Sequence, residues 1–170
     1  MFALRMDILG TRELDFAIQG LLKRVSDFRP LWPRLTEVFR GMEIAQFDAE
    51  GMGPAGGWAP LSPRYAAWKS RHYPGQPTMV RTGRLRASLV ATSSDSILDA
   101  SQPMQMRIGT SVPYAIWHQL GGGYLPRRKL VDFSAQQNLA FAKEFQKYVN
   151  TDALKGFDGT QRRLPFGVAA

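Results

Sequence analysis

Arg107-Ile-Gly-Thr-Ser-Val-Pro-Tyr-Ala-Ile-Trp-His-Gln-Leu-Gly-Gly-Gly-Tyr-Leu-Pro-Arg-Arg-Lys129 is the stretch on which the fold turns. It passes from a strand end through a turn into a short aromatic helix. Three glycines follow, then a proline and three basic residues. Just upstream, Met104, Met106 and Ile108 alternate with Gln105 and Arg107, the period of a half-buried strand. An earlier strand within about 87–110, with a turn at Ser93–Ser96, would complete an antiparallel hairpin. A strand running directly into a helix here, with helical spacing on both flanks, points to a mixed α+β chain.

Toward the N-terminus, Phe2, Leu4, Met6 and Ile8 alternate with polar or small residues and predict another strand, ended by Gly10. Thr11 is a fair N-cap for a helix over 12–28, where Leu14, Ile18, Leu21, Leu22, Val25 and Phe28 recur at helical spacing. Pro30 and Pro33 suit the first turn of a second helix. That helix would bury Leu35, Val38, Phe39, Met42 and Ala45 and end near Phe47 or Ala49. Gly51–Gly56 spells G-x-G-x-x-G, but a helix precedes it, and Pro54 and Pro60 prevent a helix from opening within it. It lacks the strand–turn–helix frame of a dinucleotide site and reads as a loop.

Ser62-Pro63 is an N-cap and N1 pair that launches a helix carrying Tyr65, Trp68 and Lys69 to about Arg71. Thr82 would cap a short helical turn with Leu85 and Leu89 inward and Arg84 and Arg86 outward. Beyond the opening stretch, Leu130, Val131 and Phe133 suggest one more extended piece. Ser134 then caps a last helix in which Phe141, Phe145, Tyr148 and Val149 share a face. Residues 150–170 have no clear period and read as an arm or flexible extension. The expected architecture is one α+β domain over 1–149, its antiparallel sheet packed by two N-terminal helices and a C-terminal helix.

The bulk composition agrees. The chain has 170 residues, 44% hydrophobic and 21% charged, close to an ordinary globular protein. Without cysteine there is no disulfide framework and no thiolate metal site. The charged N-terminus does not read as a secretory signal, and no run of apolar residues is long enough for a membrane span. The net charge of +8 is localised. Residues 51–130 hold ten Lys and Arg against only Asp95 and Asp99, while the flanks balance. Such a field suits an anionic partner, nucleic acid or an acidic protein surface, or else a solvated face.

Catalytic residues are scarce. His72 and His118 are the only imidazoles, far apart in sequence and without carboxylates at metal-ligand spacing. No metalloprotease, phosphate-loop or nucleophile-elbow motif is present. His118, between Trp117 and Gln119, is the best candidate base, yet a packed and hydrogen-bonded histidine is the simpler reading. Trp58, Tyr65, Trp68, Tyr73, Tyr114, Trp117 and Tyr124 interleave with basic residues, which fits a DNA-binding module. No RNA- or DNA-binding signature accompanies them. A protein–protein interface, rich in aromatics, Met and Arg, fits the same residues.

In order and spacing these pieces resemble the phage virion morphogenesis family, the tail-completion proteins of Mu-like and P2-like phages. The resemblance spans roughly 3–149. It rests on Trp58-Ala-Pro-Leu61-Ser-Pro with Tyr65 and Lys69, then Thr82-Gly83-Arg-Leu85-Arg-Ala-Ser88. It continues through Gly109-Thr110, Tyr114-Ala115-Ile-Trp-His118-Gln-Leu-Gly121 and Pro126-Arg127. The Arg127-Arg-Lys-Leu130 run departs from the aromatic or apolar residue usual after P-x-R, and the tail from 150 has no counterpart. The resemblance implies a structural protein of the virion neck or tail end that completes the tail, assembled in the host cytoplasm. It implies a self-associating ring of six, set between a tail tube protein and a head-side connector, with genome DNA passing through its lumen. It implies no catalysis, cofactor or membrane. In that light Tyr114 and Trp117 would anchor the short helix and Gly121–Gly123 would release the chain into a mobile loop.

Overall fold

The structure is a computed structural model, which describes residues 11–51 and 57–150. The expected strand at 2–8, most of the glycine–proline loop and the tail from 151 lie outside the described residues. So do the side chains of Thr11 and Leu14. Within them the elements are α1 (Thr11–Ser26), a 3-10 turn (Arg29–Leu31), α2 (Trp32–Asp48), α3 (Pro63–His72), α4 (Arg84–Val90), β1 (Ser96–Asp99), β2 (Arg107–Thr110), α5 (Ala115–Leu120) and α6 (Ala135–Asn150). The chain is α+β, with helices dominating and one two-stranded antiparallel sheet among the described residues.

α2 is the spine. Its first turn, primed by Pro33, carries Trp32 and Leu35 into a cluster with Leu31, Phe28 and the α6 aromatics Phe141, Phe145 and Tyr148. Phe28 meets Phe145 edge to face at 5.3 Å, and the Tyr148 hydroxyl donates to the Asp27 carbonyl at 2.8 Å. The second half of α2 carries Phe39 and Phe47 into the main core with Val80, Leu85, Leu89, Val112, Ala115 and Leu130. α6 is capped as its sequence predicts: Ser134 Oγ accepts from Gln137 N, and Ser134 N donates to Gln137 Oε1 at 2.8 Å.

The buried stripe of α2 differs from the expected one. Leu35 and Phe39 are inside, but Val38 and Met42 are only half-buried and Ala45 is exposed. These three line a second groove against the 129–140 segment. Their places in the core are taken by Thr36, Glu43, Gln46 and Phe47. Two polar members are satisfied: Thr36 Oγ1 donates to the Trp32 carbonyl, and Gln46 Nε2 donates to the Lys129 carbonyl at 3.1 Å. Glu43 is not. It is 3% exposed, its Oε2 has no hydrogen-bond partner, and burial pushes its carboxyl up to about 8.

The hairpin also shifts from its expected place. No strand forms from 87. Gly83, at φ 81°, starts α4 in the left-handed region, and Leu85, Ser88 and Leu89 then hold a buried helical stripe through Val90. Thr82 makes no cap hydrogen bond; Gly83 is the cap residue. Ser93–Ser96 becomes the turn between α4 and β1, where Ser96 Oγ donates to the Ser88 carbonyl at 2.9 Å. β1 then pairs β2 antiparallel, with Ile97 opposite Gly109 and Asp99 opposite Arg107. The hairpin leans on α4, while Met106 and Ala100 at its far end pack on the α2–α6 cluster. Leu130, Val131 and Phe133 form no strand. Leu130 is buried, and the segment's backbone bonds go to a side chain of α5.

Candidate functional site

Four separated segments enclose a groove of about 640 Å³. Ser62 Oγ accepts from Tyr65 N at 3.4 Å, fixing the start of α3, and the helix turns Tyr65 and Lys69, one turn apart, toward the groove. The 79–85 loop and the start of α4 form a second wall with Met79, Thr82, Gly83 and Leu85. α5 contributes Tyr114 and His118, and the following loop closes the site with Leu125, Pro126 and Arg128.

That loop is tied to α5 by one side chain. Gln119 Oε1 accepts from Leu130 N at 2.7 Å and Val131 N at 3.1 Å, and its Nε2 donates to the Val131 carbonyl at 2.7 Å. Arg128 N donates to the His118 carbonyl at 2.8 Å. Gly121, at φ 72°, lets the chain reverse so closely that an added Cβ would lie 3.0 Å from Arg127 N. Trp58 braces the back of the site. Its ring meets Phe47 edge to face at 5.2 Å, and its Nε1 donates to the Lys129 carbonyl at 2.7 Å.

The groove is basic and contains no carboxylate among its lining residues. Lys69 is buried, with Nζ donating to the Pro77 carbonyl; burial lowers its pKa while Glu50 opposes the shift. Arg128 is buried too, with Nε donating to the Ala59 carbonyl at 2.7 Å and Nη2 to the Pro60 carbonyl at 2.9 Å. Burial lowers its pKa. Burial, and then the Arg128 guanidinium, push the His118 imidazole below its ordinary value. Contrary to the packed, hydrogen-bonded histidine expected, His118 Nδ1 is buried without a partner.

Nine of the predicted site residues meet here: Leu61, Tyr65, Lys69, Thr82, Gly83, Leu85, Tyr114, His118 and Pro126. Trp58, Ala115 and Gly121 support its walls. Ser88 reaches behind α4 to Thr110 Oγ1 at 2.7 Å, and Gly109 sits in β2 opposite Ile97. Arg127 stays exposed, its Nε donating to the Gln119 carbonyl at 3.2 Å. The expected anchors do not anchor. Trp117 is 60% exposed and shares an outer face of α5 with Ile116 and Leu120, while Tyr114 stands half-open at the groove. Sequence reasoning missed Arg128 and Gln119 as site residues. Gln119 stood inside the quoted motif, whereas nothing local distinguishes a buried arginine from its exposed neighbours.

The central basic residues do not form one free stripe. Arg84 pairs with Asp95 at 2.6 Å, Arg86 with Asp48 at 3.0 Å, and Lys129 with Asp132 at 2.9 Å. Among the described residues, no three His, Cys, Asp or Glu side chains gather as a metal site, and no helix is long and apolar enough to cross a membrane.

Neither a curated protein nor a solved structure matches the chain. A family model does: the description it carries is phage virion morphogenesis family, and it covers residues 9–150, a span that includes every wall of the groove. Its extent, over most of the chain, places this protein in the phage virion morphogenesis family.

Proposed function

We propose that this chain, a phage assembly protein by family, is the tail-completion subunit that closes the tail end and joins it to the head connector. It works as a ring, hexameric, between the tail tube protein and a head-side neck protein, and it binds rather than turns over a substrate. The observation that carries this reading is the convergence of the motif residues on a groove built for contact. Its histidine has no orienting carboxylate, and its walls carry tyrosines, aliphatic side chains, the buried cations Lys69 and Arg128 and the exposed arginines Arg81 and Arg84. Exposed apolar side chains support it. Ile116, Trp117 and Leu120 on α5 and Phe16, Ile18 and Leu22 on α1 all face solvent, as subunit interfaces do before assembly.

A duplex-DNA-binding module is the other reading, favoured by the +8 net charge. The pairing of Arg84, Arg86 and Lys129 with acids and the burial of Lys69 and Arg128 weigh against it. A phage lacking this chain should accumulate heads without joined tails, or tails of uncontrolled length, in electron micrographs. Normal infectious particles would refute the proposal. Light scattering of the purified protein should give a discrete oligomer, whereas affinity for duplex DNA that falls steeply with salt would favour the alternative.

A further inference from the structure

Two of the groove's cations are more than nine-tenths buried: Lys69 at 5% exposure and Arg128 at 4%. A buried charge is disfavoured unless hydrogen bonds and an opposite charge compensate it. Here the compensation is incomplete. Arg128 spends Nε and Nη2 on two carbonyl oxygens, and its Nη1 has no hydrogen-bond partner among the described residues. Beside it, His118 Nδ1 is buried and unpartnered. No lining residue is acidic, and Glu50, which acts on Lys69 from outside the lining, is no partner of Arg128, so nothing within the groove completes the Arg128 charge. Leu61, Val80 and Leu125 give the groove an apolar side, and Tyr124 stands fully exposed at the rim.

We propose that the groove receives an extended segment of another protein chain in which an aspartate or glutamate stands beside an aromatic or large aliphatic side chain. The carboxylate meets the unpaired Nη1 of Arg128, and its neighbour fills the apolar side of the groove. A carboxylate supplies the missing charge together with an acceptor for the unspent Nη1 donor; a neutral segment supplies the acceptor but not the charge. Duplex DNA is a poorer fit. Its phosphates lie on a convex surface and are met by exposed side chains, whereas Lys69 and Arg128 lie beneath the groove's surface. The inference rests on the assembly reading only in taking the occupant to be protein.

The test pans a random peptide library, displayed on yeast, against the purified full chain. Enriched sequences are then titrated as soluble peptides by fluorescence anisotropy. Enrichment of acidic residues next to Phe, Leu, Ile or Trp is expected. The matching Asn or Gln peptides should bind about 10-fold more weakly or worse, as loss of a charge pair in a desolvated site requires. Arg81→Glu and Tyr124→Ser change exposed rim residues, so they should keep the wild-type circular dichroism while weakening binding about 10-fold and several-fold respectively. Enrichment of acid-free sequences, no enrichment, indifference to the amide substitutions or to both rim variants, or displacement of the peptides by duplex DNA would each overturn the proposal. The result is read on purified protein. A failure here, with tail joining still lost on deletion of the chain, would leave the assembly reading standing.

Discussion

Replacing Glu43 with glutamine should stabilise this protein and remove most of its pH dependence near neutrality. The Glu43 carboxyl sits between Phe39 and Phe47 on the buried face of α2, one turn from each, and its Oε2 has no partner. In the folded chain its pKa is pushed up to about 8 by burial, against an ordinary 4.5. Between those values the folded state holds a proton that the unfolded state has released. Stability therefore falls by about 1.4 kcal/mol for each pH unit on rising through that window, and is level above it. The full difference corresponds to about 5 kcal/mol, an upper bound because water entry and side-chain rearrangement relieve part of it. The amide would keep the shape and the neutrality of the protonated acid without titrating. Urea unfolding of both proteins at several values between about pH 5 and about pH 8.5 would show this. The variant should be close to wild type at the acid end and more stable by several kcal/mol at the alkaline end. His118, whose pKa is lowered in the fold, contributes with the opposite sign below about pH 6.5, and it cancels in the difference between the two proteins. Parallel stability profiles for wild type and Glu43→Gln would refute the reasoning.

The groove's construction gives three further expectations. Gln119→Leu strips the Leu130 and Val131 amides and the Val131 carbonyl of their partners; it should cost about 2–4 kcal/mol, and faster hydrogen exchange at those two amides would confirm the site of damage. Gly121→Ala places a side chain at φ 72° and a Cβ 3.0 Å from Arg127 N, so a loss of about 1–3 kcal/mol is expected by thermal or urea unfolding. His118→Ala removes a ring whose Nδ1 has no partner; folding should change by less than about 1.5 kcal/mol while ring or virion assembly suffers, and a variant that assembles like wild type would count against any role for the ring in assembly.

Local chemistry was legible where it acts within one turn. Ser62-Pro63 and Ser134 mark helix starts because a side-chain oxygen reaches an amide two or three residues on, which needs no tertiary context. Leu85 and Leu89 were readable as an inward face for the same reason. The hairpin was legible as a kind of element but not as a position. Residues after Leu85 satisfy both a helical and a strand spacing, and the core contact of Leu85 and Leu89 decides for helix.

Residue order alone thus carries the α+β class, the main helices, the Ser62 and Ser134 caps, and the ordered motif residues that mark the family. What those residues do together is settled by packing. Tyr65, Thr82, Tyr114 and Pro126 lie in different segments, and only the folded chain brings them around one groove. Packing also sets burial against type: Glu43 and Arg128 are inside and Trp117 is outside. Composition and spacing report a residue's own preference and that of its near neighbours in the chain. Burial, and the charge left unpaired within it, depend on which distant segments close over that residue, and no local pattern records that.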